Sequence, residues 1–283
     1  MILYNYNVNK MPEGPEVTII RENLNDYLKN FYLININIFP TSRYRNRAPN
    51  NFITTENSLP LKLLEVKSKG KLIYWLFEKK ITLLNTLGMS GIWVKDLINH
   101  VSIEMEFQLD DKKKKIYFVD TRHFGTLKFL TSKKDLQDKL KQLGPDILND
   151  RDMNFELFKT RILKYKHYNI TKSLMDQKII SGIGNYLKSE ILYDSKISPL
   201  WKIQDLTEKD LYRLYKSCGK IINNSYKNRG VTMKDFTDID RKKGKHQFSL
   251  EVYCKKTDKH GNDVLKITTP DKRTTYWVPE IQL

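Results

Sequence analysis

Hydrophobic positions near the start of the chain recur every three or four residues. Val17, Ile20, Leu24, Tyr27, Leu28 and Phe31 predict an amphipathic helix over residues 15–30. The period then drops to two. Leu33–Phe39, Leu61–Lys67, Lys71–Phe77 and Val101–Leu109 alternate as half-buried strands do, and Lys115–Val119 and Thr126–Leu130 continue the pattern. Gly70, Gly88, Gly91 and Gly125 fall at turns or close approaches between these runs. From Lys133 the helical period returns in Asp135–Leu143, Asn154–Lys164, Thr171–Gln177, Asn185–Asp194 and Thr207–Asn228, with a turn at Leu143-Gly144-Pro145-Asp146. Strand-like runs close the chain at Ser249–Lys255, Val264–Thr269 and Thr274–Val278, split by Gly261 and Pro270. The pattern predicts an α+β protein. A helix and a two-layer β-sandwich occupy residues 11–132, a helical domain residues 133–248, and a β-hairpin residues 249–283.

Charge adds a partner to this picture. Among 283 residues, 50 Lys and Arg face 33 Asp and Glu, a formal net charge of +17. Such an excess points to a polyanion, most simply nucleic acid, although a lysine- and asparagine-rich composition also reflects genome bias. The two cysteines, Cys218 and Cys254, are too few for a disulfide framework or a four-thiolate zinc site, and they fit a reducing intracellular compartment. No apolar run approaches the roughly 20 residues of a membrane span, so no membrane partner is expected. Residues 1–10 lack the charged start and apolar core of a signal peptide.

The most informative chemistry lies in Met11-Pro12-Glu13-Gly14-Pro15-Glu16-Val17. Proline at a chain start is a secondary amine, able to attack a carbonyl-like carbon such as C1′ of a damaged nucleotide and form an iminium. An α-amino group titrates at roughly pKa 8, so a useful fraction is nucleophilic near neutrality. Glu13 and Glu16 stand within one helical turn and supply proton transfer. The same run is also a good helix start, with Pro15 at a first position and Glu16 at the positive end of the dipole. A second segment, Ile180-Ser181-Gly182-Ile183-Gly184-Asn185-Tyr186-Leu187-Lys188-Ser189-Glu190, ends one helix and opens another. Its glycines let a phosphate backbone approach, and a helix N-terminus at Asn185 offers N–H groups to an anion. An ordinary helical hairpin needs the same glycines.

Taken together, these motifs resemble the formamidopyrimidine-DNA glycosylase / endonuclease VIII family of base-excision repair enzymes. Pro-Glu-Gly-Pro-Glu-Val matches the family's start, and Leu87-Gly88-Met89-Ser90-Gly91 and Asp120-Thr121-Arg122-His123-Phe124-Gly125 resemble two sandwich motifs. Leu143–Asp146, Leu174-Met175-Asp176-Gln177 and Gly182–Glu190 match a helix–two-turns–helix element, and Lys272-Arg273-Thr274-Thr275-Tyr276-Trp277 resembles the C-terminal finger. The resemblance implies that Pro12 is the nucleophile, Glu13 the acid/base, and Glu16 a second acidic position. Lys71, Asn185 (with Gly184 at the turn) and Arg273 would hold DNA phosphates; a bidentate guanidinium suits the last role. Met89, Arg122 and Phe124 would fill the gap left by an extruded base, offsetting an unstacking cost of a few kcal/mol.

The chain departs from the pattern in three places. Ten residues precede Met11, and a peptide bond to the Pro12 nitrogen would abolish its nucleophilicity. Translation from Met11, or removal of residues 1–10, is the expectation. The finger positions that carry two Cys-x-x-Cys pairs in many relatives read Thr257, His260, Val278 and Ile281. One imidazole does not make a zinc site, so a zincless finger and no cofactor are expected. Third, His123 stands beside Arg122 where arginine is common, with little catalytic consequence expected. Apart from these, residues 230–248, with Lys242-Lys243-Gly244-Lys245, occupy the place of a lesion-capping loop, neither deleted nor clearly matched, or form a solvated basic loop.

The expected activity is that of a bifunctional glycosylase and abasic-site lyase. It would be a monomer acting on oxidised bases in duplex or single-stranded DNA, held in a basic groove between the sandwich and helical domains, with salt-sensitive affinity. The competing reading is a non-catalytic damaged-DNA-binding protein of the same fold with Pro12 blocked. A sequence-specific transcription factor is disfavoured, because no helix carries a set of base-reading side chains.

Overall fold

The computed structural model describes residues 11–231, 239–240 and 249–282. It divides into two compact units. The first is residues 11–12 and 16–140 with Ile239 and Asp240. The second is residues 141–231 and 249–282, and it incorporates Glu13–Pro15.

In the first unit, α1 (Gly14–Leu28) precedes an antiparallel sheet that folds over on itself. The strands are β1 (Tyr32–Ile38), β2 (Leu61–Lys69), β3 (Leu72–Phe77), β4 (Thr82–Thr86), β5 (Gly91–Val94), β6 (Val101–Leu109), β7 (Lys112–Asp120) and β8 (Thr126–Leu130). One layer runs β5-β7-β6-β1 and the other β2-β3-β4-β8, joined where Tyr32 and Leu33 pair with Lys62 and Leu61. Trp75 on β3 meets Trp93 on β5 at 4.9 Å and Phe107 on β6 at 6.4 Å between ring centroids, closing the sandwich. Val17, Ile20, Leu24 and Leu28 of α1 enter the same core, as does Ile239. The predicted α+β sandwich is therefore present, with three elements that the alternation did not mark. The short helix α2 (Phe52–Glu56) sits between β1 and β2. β4 is buried on both faces through Asn85, so its sequence does not alternate. β5 is only four residues long.

The second unit is helical around α6 (Asn185–Asp194), with α4 (Phe155–Leu163), α5 (Ile170–Met175) and α7 (Glu208–Lys227) about it. The exposed α3 (Lys133–Lys141) links the units along the chain. Side-chain caps start the helices: Asn154 accepts from Leu157 N–H at 2.9 Å, Asn169 from Thr171 N–H at 2.9 Å, and Thr207 and Asp210 form a reciprocal capping box. α6 is buried on every side from Tyr186 to Tyr193. The hairpin β9 (Leu265–Thr268) and β10 (Thr274–Trp277) completes the unit.

One predicted strand is absent. Ser249–Lys255 does not pair, because the buried carboxylate of Glu190 accepts the N–H groups of Glu251, Val252 and Tyr253 at 2.9, 3.0 and 2.7 Å. A carboxylate replaces the strand neighbour that the alternation implied. The core of the finger is Tyr193, Val252, Val264 and Val278, with Tyr276 and Ile281 packed against it.

Candidate active site

Glu13 is buried and both of its oxygens are engaged. Oε2 accepts from Gly184 N–H at 2.7 Å and Leu187 N–H at 3.3 Å, and Oε1 accepts from Tyr186 N–H at 3.0 Å. These are the orphan donors of the first turn of α6, so Glu13 caps that helix from 171 residues away. The neighbouring backbone fixes the arrangement. Gly14 N–H donates to Gly182 O at 2.8 Å, and a Cβ on Gly14 would lie 3.2 Å from Gly182 Cα. Gln177 pins the turn from inside, accepting from Gly182 N–H at 2.8 Å and donating to Ile183 O at 2.9 Å. The N–H groups of Gly184, Tyr186 and Leu187, at the turn where the sequence suggested an anion site, therefore already donate to an internal carboxylate. Pro12, also buried, immediately precedes this carboxylate in the chain.

Asn185 opens α6, and its Nδ2 donates to Thr274 O at 2.9 Å, tying the helix to the hairpin. A second tie lies one turn on, where Lys188 Nζ meets Asp271 at 2.6 Å. Burial pushes the Lys188 ammonium down from its ordinary range, and Asp271 works against that. Arg273, exposed, stands between the two attachment points on the hairpin tip. Burial pushes the Tyr253 phenol up, and the Asn185 side chain works against that. Gln177, Lys188, Tyr253 and Asp271 carry no local signal of these roles; each partner is distant in sequence or belongs to another element.

The first unit assembles the three predicted gap-filling residues on two adjoining loops. Asp120 is the node. Its Oδ1 accepts from Ser90 Oγ at 2.6 Å and its Oδ2 from Gly125 N–H at 2.6 Å, while Ser90 Oγ accepts from Arg122 N–H at 3.0 Å. Arg43 donates to His123 O at 2.8 Å and Gly125 O at 3.3 Å from outside. The frame leaves no room for side chains at its glycines. A Cβ at Gly88, where φ is +59°, would lie 2.6 Å from the Phe124 carbonyl carbon, and one at Gly125 would lie 2.7 Å from Phe118 Cζ. Met89 and Arg122 are half-buried and Phe124 is 58% exposed, an unusual state for a phenylalanine. Lys71 lies in the two-residue β2–β3 turn after Gly70, whose φ is +55°. Glu16 is fully buried in the first turn of α1.

The finger positions do not suit zinc. Val278 is in the apolar core, Ile281 packs against it, and Thr257 pairs with Asp263 in an isolated bridge, leaving His260 as the single candidate ligand. Among the described residues no group of three or more His, Cys, Asp or Glu is placed to hold a metal. A carboxylate organises the turn instead: Asp258 accepts from His260 N–H and Asn262 N–H, both at 2.9 Å, from Asn262 Nδ2 at 3.0 Å, and from Tyr193 Oη at 2.9 Å. Burial pushes the Asp258 carboxyl up, but these hydrogen bonds outweigh it and hold it at about 2.

Among the described residues no helix is long and apolar enough to cross a membrane. A proline-led helix on a β-sandwich, a carboxylate-capped helix–turn–helix and an arginine-tipped hairpin together define a DNA-glycosylase architecture. Comparison with known proteins narrows the class. The formamidopyrimidine-DNA glycosylase N-terminal domain matches residues 11–127, the H2TH domain residues 143–237, and the C-terminal domain residues 237–283. Formamidopyrimidine-DNA glycosylase of Wolbachia pipientis wMel is 30% identical over 94% of this chain and 98% of its own, and that of Prochlorococcus marinus (strain NATL2A) 29% over 96% and 100%. The crystal structure of MutM (Fpg) from Thermus thermophilus superposes with a TM-score of 0.80 at 25% identity, covering 96% of this chain and 98% of that one. Lactococcus lactis Fpg, in a complex with abasic-site DNA, gives 0.82 at 24% identity over 95% and 99%. The chain belongs to the formamidopyrimidine-DNA glycosylase family and is a DNA glycosylase of base-excision repair.

Proposed function

We propose that this enzyme excises oxidised bases as a bifunctional glycosylase and abasic-site lyase, with Pro12 as its N-terminal nucleophile. The observation that carries the reading is the built-in position of Glu13, directly after Pro12 and locked to the α6 N-terminus by three N–H bonds. Pro12 nitrogen forms a bond to C1′ and loses its proton as the glycosidic bond breaks, and the base leaves with a proton. The C1′–O4′ bond then opens, O4′ takes a proton, and the nitrogen lone pair closes the iminium. Loss of a C2′ proton from the iminium then expels the 3′ phosphate by β-elimination, and δ-elimination expels the 5′ phosphate. Glu13 moves protons in these steps. Asn185 and Arg273 grip phosphates, Lys71 contacts phosphate beside the lesion, and Met89, Arg122 and Phe124 fill the vacated stack. Glu16, fully buried in the first turn of α1, is the second acidic group near Pro12 in the chain. No metal takes part, and the finger rests on Asp258, Glu190 and its valine core.

The family match begins at residue 11, which supports Pro12 as the mature terminus. Borohydride trapping on abasic-site DNA tests the mechanism. A chain starting at Met11 should give a covalent adduct, Pro12→Gly should weaken it, and a chain retaining residues 1–10 should give none. Equal trapping by all three would overturn the assignment. DNA binding without trapping by any would favour the non-catalytic reading, which the ten-residue extension motivates.

A further inference from the structure

We infer that the Lys188–Asp271 ion pair is a positioning latch, which fixes the hairpin tip so that Arg273 stands beside Asn185. The inference rests on the reading of Arg273 as a phosphate grip. Both partners are withdrawn from water: the Lys188 side chain is 0% exposed and that of Asp271 4%, at 2.6 Å. A buried ion pair is a poor source of stability, because apolar residues of similar volume commonly do as well or better. What such a pair does supply is direction, since one charge has one place to go.

The direction it supplies here is the orientation of the tip. Lys188 lies three residues after Asn185 on α6, so both are on one face of the same helical turn. Asp271 lies two residues before Arg273, and Thr274, whose carbonyl accepts from Asn185, lies one residue after. Arg273 is thus bracketed by two attachments to one turn of α6. The tip is also closed on itself. Asp271 accepts from Thr269 Oγ1, Thr269 and Thr275 hydroxyls meet at 2.7 Å, and Lys272 takes a left-handed φ of +59°. The apolar core of the finger, Val252, Val264 and Val278, lies at the other end of the hairpin and cannot orient the tip. Where the donor set is unfit for zinc, this latch gives the tip a fixed seat.

The test is equilibrium binding of the Met11-start protein to a duplex with one tetrahydrofuran abasic analogue, across a salt series, with melting temperature measured alongside. Asp271→Asn and Lys188→Met should each weaken binding by about ten- to a hundredfold. They should also lower the slope of log affinity against log salt by about one, as Arg273→Ala should. Asp271→Asn added to Arg273→Ala should cost nothing more. The apolar pair Lys188→Met/Asp271→Leu should recover melting temperature but not affinity, separating position from stability if the single variants fold poorly. Asp271→Glu should recover part of the affinity. Additive losses with Arg273→Ala, or weaker melting with affinity and slope intact, would overturn the latch alone. No effect of Arg273→Ala itself would overturn the phosphate-grip reading beneath it.

Discussion

Two loop assemblies in this enzyme are each organised around one buried carboxylate, and they use it differently. In the first unit Asp120 binds the loops carrying Met89, Arg122 and Phe124 through Ser90 and Gly125, and it has no other proposed duty. In the second unit Glu13 binds the α6 turn through Gly184, Tyr186 and Leu187, and it is itself the proposed proton carrier. One site separates frame from chemistry; the other merges them. The lesson is that loss of function means different things at the two carboxylates. At Asp120 geometry fails while the reactive groups stay intact. At Glu13 geometry and reaction fail together.

The merged site should show the largest effect. Glu13→Gln removes proton transfer, expected to lower base excision by about 10²–10⁴-fold, and its amide cannot accept three N–H bonds as well as a carboxylate does. A lower melting temperature should accompany the lost rate. An unchanged melting temperature would mean that the cap and the chemistry are separable after all. Next comes Asp120→Ala, which leaves Ser90 Oγ and Gly125 N–H without their buried acceptor, at a cost of about 1–3 kcal/mol each at most. Base excision from duplex should fall more than strand cleavage at a preformed abasic site, because only the former needs the base extruded. Equal losses in both assays would break the distinction drawn here.

A smaller effect should appear at the finger, where Asp258 is a purely structural carboxylate. Its folded value of about 2 lies below the ordinary value of about 3.9, so its contribution is complete above the latter and is lost as pH falls through the former. Melting temperature should therefore drop more steeply across that window in the wild type than in Asp258→Asn. Parallel curves would remove Asp258 from the account. The smallest expected change is at Lys71→Ala, which should weaken binding to all duplexes alike and lower the salt slope by about one, leaving lesion preference unchanged.

Much of the site was legible because its residues sit in short runs: Pro12–Glu16, Leu87–Gly91, Asp120–Gly125 and Gly182–Glu190 each carry a recognisable spacing. The helices α1, α4 and α7 and most strands were likewise readable, since each buries one face and so marks its period; α6, buried on every side, was readable from its glycine-led start before Asn185. The rest was hidden for a common reason. β4 is covered on both faces, so alternation vanishes, and Ser249–Lys255 alternates yet hands its amides to Glu190. The Gly184 amide reads as a phosphate donor until Glu13, 171 residues earlier, is seen to hold it. Lys188 and Asp271, 83 residues apart, carry no sign of each other in the sequence. Local pattern reports which atoms want partners; only the tertiary fold reports which partner arrives.

The glycines around the gap-filling residues have a further consequence, for how such an enzyme changes over generations. At positions 88 and 125 any side chain collides with backbone or a buried ring, at 2.6 and 2.7 Å. Met89 and Arg122, between and beside them, are half-buried, and Phe124 is largely exposed. Inherited variation is thus channelled. Substitutions at the frame are removed with the fold, while substitutions at its three passengers survive to be tried against new damage. A repair enzyme built this way can drift in what it recognises one residue at a time, without having to reinvent the loop that presents it.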